Sequence, residues 1–215
     1  MNLENEFGER KWDNFGGVSP LIAVFKSYHP LNPEIEKIIN EQTFPVRFDK
    51  HNHIASPLKP NRFIYLILQG SVHGYIKMET EKVTTWIAIE HELAGTIRNL
   101  WTEEASDEYI EAIDPVLAIA IPHAMSRQLY EQFPIANYVG RKMTEIYFKS
   151  ASERAFISRL PTAKKRYERY LVTYAYLVDR VPLKYIASFL NMRLETLSRI
   201  RAMMYRNNDK LVVEV

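Results

Sequence analysis

The chain has 215 residues, 47% of them hydrophobic, a formal net charge of +2 and no cysteine. That length suits one large domain or two small ones with a real core. The missing cysteines exclude disulfides, thiolate zinc sites, Cys-ligated iron–sulfur clusters and Cys nucleophiles. The longest apolar runs, "FIYLIL" at 63–68 and "VLAIAI" at 116–121, fall well short of the roughly 20 residues of a membrane span. "MNLENEFGERKW" has acidic residues and no apolar signal-peptide core. A cytoplasmic protein is expected.

The small net charge conceals an asymmetry. Residues 141–215 hold 16 Lys/Arg against 7 Asp/Glu, a balance of +9; the first 140 hold 12 against 19, a balance of −7. An acidic front and a basic back imply separate tasks, with the back facing a polyanion or simply forming a solvated basic surface.

In chain order, residues 1–20 contain "DNFGGVSP" and read as loop or a weakly ordered extension. "PLIAVFKSYHPLNPEIEKIINEQ" reads as one or two helices, with Pro33 at a first helical position and Glu34 and Glu36 in the first turn. From Phe44 to Ile121 the apolar period becomes two. "FPVRFDK", "HIASP", "RFIYLILQ", "SVHGYIKME", "KVTTWIAIE", "EYIEAI" and "VLAIAI" are seven short strands between turn signals. Their spacing favours a sandwich or barrel-like β unit. Gly70 between two strands is expected to take a positive φ.

After Pro122 the pattern is helical. "PHAMSRQLYEQF" is a short helix with Pro at its start. The next helix carries Ile135, Val139, Met143 and Ile146 along one seam. About 25 residues would span roughly 37 Å, longer than a small β unit covers. A parallel homodimer would bury the seam; packing within the chain is the other reading. Gly140 is a small spot where another backbone could come close. Pro161 ends this helix, and Thr162 caps another whose buried face holds Tyr167, Tyr170, Leu171, Tyr174 and Leu177.

Pro182 opens "YIASFLNMRLETLSRIR", which reads as a helix-turn-helix. Asn191 stands where the turn needs a left-handed residue. Ala187 is small at the helix crossing and Met192 plugs the turn. On the second helix Leu197, Ile200 and Met204 face inward, while Glu195, Ser198, Arg199 and Ala202 share the outer side. An Arg can bond guanine O6 and N7; a Glu can accept from cytosine N4 or orient the Arg one turn on. Arg193 and Thr196, near the helix start, can meet phosphates, with Lys184 and Arg201 as further backbone candidates. The alternative is an ordinary i,i+4 surface ion pair between Glu195 and Arg199.

The run "RVPLKYIASFLNMRLETLSRIRAMM" resembles the C-terminal DNA-binding domain of Crp/Fnr-type transcription regulators, through the pattern "IA-x-x-L-x-[apolar]-x-x-ET-[apolar]-SR". "VTTWIAIEHELAG" resembles the β-roll of the branch of that family common in Bacteroidetes. The order of parts agrees over some 170 residues. The resemblance implies an α+β fold: an N-terminal double-stranded β-helix (the cyclic nucleotide-binding-like β-roll), a long dimerisation helix and a C-terminal winged helix-turn-helix. The corresponding divisions are 1–134, 135–160 and 161–215. It also implies that Glu195, Ser198 and Arg199 read bases, that Thr196 binds phosphate, and that "DKLVVEV" forms all or part of the wing. The family usually has Ser or Thr at position 193, to cap the recognition helix. Arg193 cannot accept those amide bonds, which costs about 1 kcal/mol.

Cyclic nucleotide-binding members need a Gly-Glu pair and an Arg-Ser or Arg-Thr pair. Here Gly95 is followed by Thr96, and Ser106-Asp107-Glu108 stands where the Arg is wanted. Two carboxylates there repel a phosphate, so cyclic AMP is not expected. Another small effector could use a pocket with Trp86, Gly95, Arg98, Trp101 and Tyr109, unless these aromatics are simply core. It would act by rotating the DNA domains around residues 158–162. "HELAG" lacks the second His of a zinc protease. His51 and His53 alone make no metal site. No enzyme site, cofactor or metal is expected. The expected partners are double-stranded DNA, a second copy of the chain and RNA polymerase. The rival from another class is a ligand-sensing or protein-interaction module whose helix-turn-helix has lost DNA binding.

Overall fold

The computed structural model describes residues 11–79, 81–96, 100 and 104–212, the stretch 207–212 by its backbone alone. The early loop is more ordered than its glycines imply. Trp12 is buried and donates from Nε1 to the Asn40 carbonyl at 2.8 Å, and residues 13–15 form one 3-10 turn. Two helices follow, α1 (Pro20–Lys26) and α2 (Pro33–Gln42). Asn32 caps α2 by accepting from the Ile35 amide at 2.8 Å, with Pro33 in the first turn as expected.

Eight strands come next: β1 (Phe44–Phe48), β2 (His53–Ala55), β3 (Phe63–Gln69), β4 (Val72–Met78), β5 (Glu81–Ala88), β6 (Leu93–Ala94), β7 (Tyr109–Ala112) and β8 (Val116–Pro122). The seven expected from the period of two are all present; the two-residue β6 is too short to show in a periodicity. They form two four-stranded sheets, ordered β1-β8-β3-β6 and β2-β7-β4-β5. Consecutive strands change sheet at every step except β4 to β5, which are neighbours in the second sheet; a chain of simple hairpins would not do this.

One face of the first sheet carries the helices. Leu66 pairs with Ile119 and Ile64 with Ile121 across β3 and β8. These residues pack on Leu21, Ile35 and Ile39 of α1 and α2, and on Met125 and Leu129 of α3 (His123–Gln132). Such side chains recur every second strand residue and every third or fourth helix residue, so both periods meet in one core. At Gly70 φ is 93°, and a Cβ there would stand 2.3 Å from the Pro115 carbonyl oxygen. Only glycine fits that turn.

The long helix α4 runs Pro134–Ser158. Its seam is divided in use. Ile135 packs on the core just described, and Val139 has 0% exposure within the single chain. Val139 therefore has no surface to offer a second copy, and the expectation is corrected there. Met143 is half-buried, and Ile146 is 57% exposed, followed by exposed Tyr147 and Phe148. Gly140 is also corrected: the Tyr130 ring fills its open side, where a Cβ would meet that ring at 2.6 Å. The space admits a side chain of the same chain, not another backbone.

The fold divides into two compact units, Met1–Ile76 with Ile87–Phe148, and Lys77–Trp86 with Lys149–Val215. The residues of α4 are thus shared between the units. In the second unit α4 is followed by α5 (Ala163–Thr173), a 3-10 turn at 175–177, α6 (Leu183–Phe189) and α7 (Leu194–Val212). Thr162 caps α5 by accepting from the Lys165 amide at 3.2 Å. Arg169 grips Glu153 with two bonds, at 2.5 and 2.8 Å, and Thr173 adds a third at 3.0 Å. These bonds, the Arg169 bond foremost, hold the Glu153 carboxyl below its usual range despite partial burial. Tyr170 and Tyr174 set their rings at 5.6 and 5.7 Å around Phe189. Among the described residues no helix is long and apolar enough to cross a membrane.

Candidate nucleic-acid interface

The basic second unit holds the helix pair. Its turn is a Schellman motif, with Asn191 in the left-handed region at φ 49°. The Met192 amide donates to the Ala187 carbonyl and the Asn191 amide to the Ser188 carbonyl, both at 3.0 Å. The left-handed residue reverses the chain so that α7 leaves α6 at once. Ile186, Ala187, Leu190 and Leu197 are buried at the junction. A larger residue at Ala187 would force the two helices apart.

At the start of α7 the Arg193 carbonyl accepts from the amides of Thr196 and Leu197, at 3.0 and 3.1 Å. The backbone part of a cap is kept; the side chain offers no acceptor. Glu195, Ser198, Arg199 and Ala202 are all exposed, while Leu197 faces the core. Glu195 and Arg199 form no ion pair with each other, and neither they nor Ser198 bond another described side chain. The i,i+4 surface bridge is not made, so the face keeps its donors and acceptors for solvent or a partner. Arg193 is exposed and Thr196 half-buried. Lys184 is exposed, its ammonium 4.8 Å from the Tyr185 ring centre. Arg201 is half-buried; burial pushes the Tyr167 hydroxyl pKa up, and Arg201 draws it partly back.

The wing expectation is corrected for residues 209–212 of "DKLVVEV", where the chain continues as α7 to Val212; residues 213–215 lie outside the described residues. "RIRAMMYRNNDK" lacks a Gly or Pro that would stop a helix.

A contact invisible in the sequence lies on α6. The Ser188 hydroxyl accepts from the Thr84 amide at 2.9 Å and donates to the Lys82 carbonyl at 3.1 Å. Strand β5 is the outer strand of its sheet, so its outward N–H and C=O groups need partners. A hydroxyl is both donor and acceptor and serves one of each.

No protein-family model matches the chain, and no curated protein is similar to it in sequence. Solved structures are similar in fold. FixK2 from Bradyrhizobium japonicum superposes with a TM-score of 0.67 at 15% identity, over 77% of this chain and 86% of that one. A variant of CooA from Carboxydothermus hydrogenoformans gives 0.64 at 16% identity, over 88% and 86%. A transcriptional regulator assigned to the Crp/Fnr family, from Eubacterium rectale, gives 0.63 at 15% identity, over 84% and 88%. The chain shares the fold of these structures. At such identities the likeness shows the fold and leaves the chemistry to the residues.

Within this fold, the described candidate effector residues are divided between the two units. Trp86 belongs to the second unit; Gly95 and Tyr109 belong to the first. Arg98 and Trp101 lie outside the described residues. Gly95 has an ordinary backbone, and a Cβ there would touch Ile64 at 3.4 Å. Tyr109 stacks on Tyr75 with ring centres 4.9 Å apart. Of the predicted anti-phosphate stretch, Ser106 and Glu108 are buried and the Glu108 amide donates to the Ser106 hydroxyl at 3.1 Å.

Strand pairing also assembles a cluster that the linear pattern hides. His53 stands opposite Glu111 across β2 and β7, and His73 stands opposite the same Glu111 across β4 and β7. His51, His53 and His73 bring ring nitrogens to 3.4, 3.6 and 4.0 Å from its carboxylate. His53 also meets the Tyr75 hydroxyl at 2.8 Å. His51 and His53 are exposed, and their common neighbour lies about sixty positions away in the sequence. Among the described residues no group of three His, Cys, Asp or Glu is arranged to hold a metal ion.

Proposed function

We propose that this protein is a sequence-specific DNA-binding transcription regulator of the Crp/Fnr type, working in the cytoplasm as a homodimer. The observation that carries the reading is the exposed set Glu195, Ser198 and Arg199 on one side of α7, behind a tight left-handed turn at Asn191. These are side chains able to bond guanine and cytosine edges, and the fold they sit in is one used by a regulator. Arg193, Thr196, Lys184 and Arg201 would meet the phosphates, which fits the +9 balance of residues 141–215. In a symmetric dimer, through the exposed half of the α4 seam, two recognition helices would enter major grooves about 34 Å apart. A roughly palindromic site follows from that symmetry.

The β-roll is taken as altered away from cyclic nucleotides. Glu108 is buried where a cyclic phosphate would need a cation, and an anion beside it is disfavoured. Millimolar cyclic AMP should therefore leave the melting temperature unchanged; a clear rise would overturn this part. In vitro selection from random duplexes tests the main reading. A palindromic consensus bound with steep salt dependence supports it. No binding to any duplex favours a sensing or interaction module that has lost its DNA function.

A further inference from the structure

The turn that aims α7 is held from outside by one residue that the DNA-reading assignment does not use. Arg166, in the first turn and a half of α5, donates from Nε to the Leu190 carbonyl at 2.8 Å. One terminal nitrogen donates to the Asn191 carbonyl at 3.2 Å, the other to the Leu160 carbonyl at 3.1 Å. Leu190 and Asn191 are the last residue of the α6 cap and the left-handed residue of the turn. Leu160 lies just beyond the end of α4. One guanidinium thus ties the segment after α4 to the turn that sets α7.

The chemistry suits arginine alone. A cation near the N-terminus of a helix sits at the wrong end of its dipole, so Arg166 is not there for α5. The carbonyls at the end of α6 lack helical partners and carry the negative end of that helix's dipole. A planar guanidinium presents N–H groups in several fixed directions at once; an ammonium offers a point charge on a flexible stem and cannot span the same three acceptors in a fixed geometry.

We propose that Arg166 is a positioning residue: it fixes the orientation of the recognition helix to the chain leaving α4, and so sets how well Glu195, Ser198 and Arg199 meet base edges. The proposal rests on the DNA-reading assignment above. It does not require Arg166 to touch DNA.

The test uses the full chain, the duplex selected in vitro and a random duplex of equal length. Arg166→Lys keeps the charge and loses the fork. It should weaken the selected duplex by about tenfold while random-duplex binding and the salt slope stay put. Amide exchange at Asn191 and Met192, whose bonds define the turn, should quicken in Arg166→Lys at unchanged helix content. A salt slope lower by about one would mean a phosphate contact instead, and unchanged specificity with unchanged exchange would also overturn the proposal. Arg199→Ala in the same assay separates the two ideas. If Arg199→Ala relaxes discrimination and Arg166→Lys leaves it unchanged, the positioning role fails and base reading stands. If Arg199→Ala leaves discrimination intact, the underlying assignment fails, whatever Arg166 does. Should Arg166→Ala fail to fold, Arg166→Lys and the exchange rates still decide.

Discussion

The two units of this molecule place their polar groups by different means. In the second, the exposed face of α7 is laid out by helical spacing alone: Glu195, Ser198, Arg199 and Ala202 fall on one side because 3.6 residues make a turn. In the first, Glu111 gathers His51, His53 and His73 through the register of three strands. A face built on one helix survives small errors of packing. A row built across strands does not, because a slip of one residue turns every side chain to the other side of the sheet.

Substitutions at five positions would break or sharpen that contrast. The largest effect is expected at Val139, fully buried within the first unit. Val139→Asp should cost on the order of 3–5 kcal/mol, as an uncompensated buried charge, and show as loss of the cooperative melt. Ile146→Asp, on the same helix but exposed, should keep the melt and yield monomers by sedimentation. A dimer that persists would remove α4 from the interface. Next comes Arg199→Ala, expected to cost about 1–3 kcal/mol on the selected duplex and to relax one base position, with no change in melting. Equal loss on random DNA would show that Arg199 does not read bases.

Ser188→Ala follows. It leaves the nearly buried Thr84 amide and the Lys82 carbonyl without their shared partner. The expected loss is about 1–2 kcal/mol in urea unfolding; Ser188→Thr keeps the hydroxyl and should lose less. The smallest effect is on pH dependence. Burial, with Arg127 nearby, holds the His123 imidazole below its usual range, against a backbone hydrogen bond at Phe63. The unfolded imidazole takes its proton near pH 6.5, roughly, and the folded one at lower pH. Below about 6.5 the unfolded state binds more protons, so stability falls as pH falls until the folded group also titrates. His123→Gln should flatten that decline below about pH 6.5 in thermal melts. An identical decline would clear His123 of any part in it.

Much of the architecture is legible because its signals are local. Pro33 after Asn32, Thr162 before α5 and Asn191 in the turn act through bonds to amides a few residues away. The seven strands longer than two residues follow from their period of two. The errors fall where a residue's fate depends on a distant one. Trp12 lies in a glycine-rich stretch that reads as loop, yet α2 offers it the Asn40 carbonyl and a core to enter. Gly140 reads as an interface residue until Tyr130 fills the space above it. The tail "DKLVVEV" reads as a wing by resemblance, but residues 209–212 continue a helix that no Gly or Pro stops.

The sequence by itself determined the classes of element, their order, the left-handed turn and the four outward side chains of α7. Each depends on backbone preference and periodicity within a few residues. Only the tertiary structure decided which half of the α4 seam is covered, which hydroxyl closes the edge of β5, which histidines surround Glu111 and which carbonyls Arg166 holds. Those contacts join positions from 6 to more than 100 residues apart. Most are set by how strands and helices pack, and no local pattern carries that information.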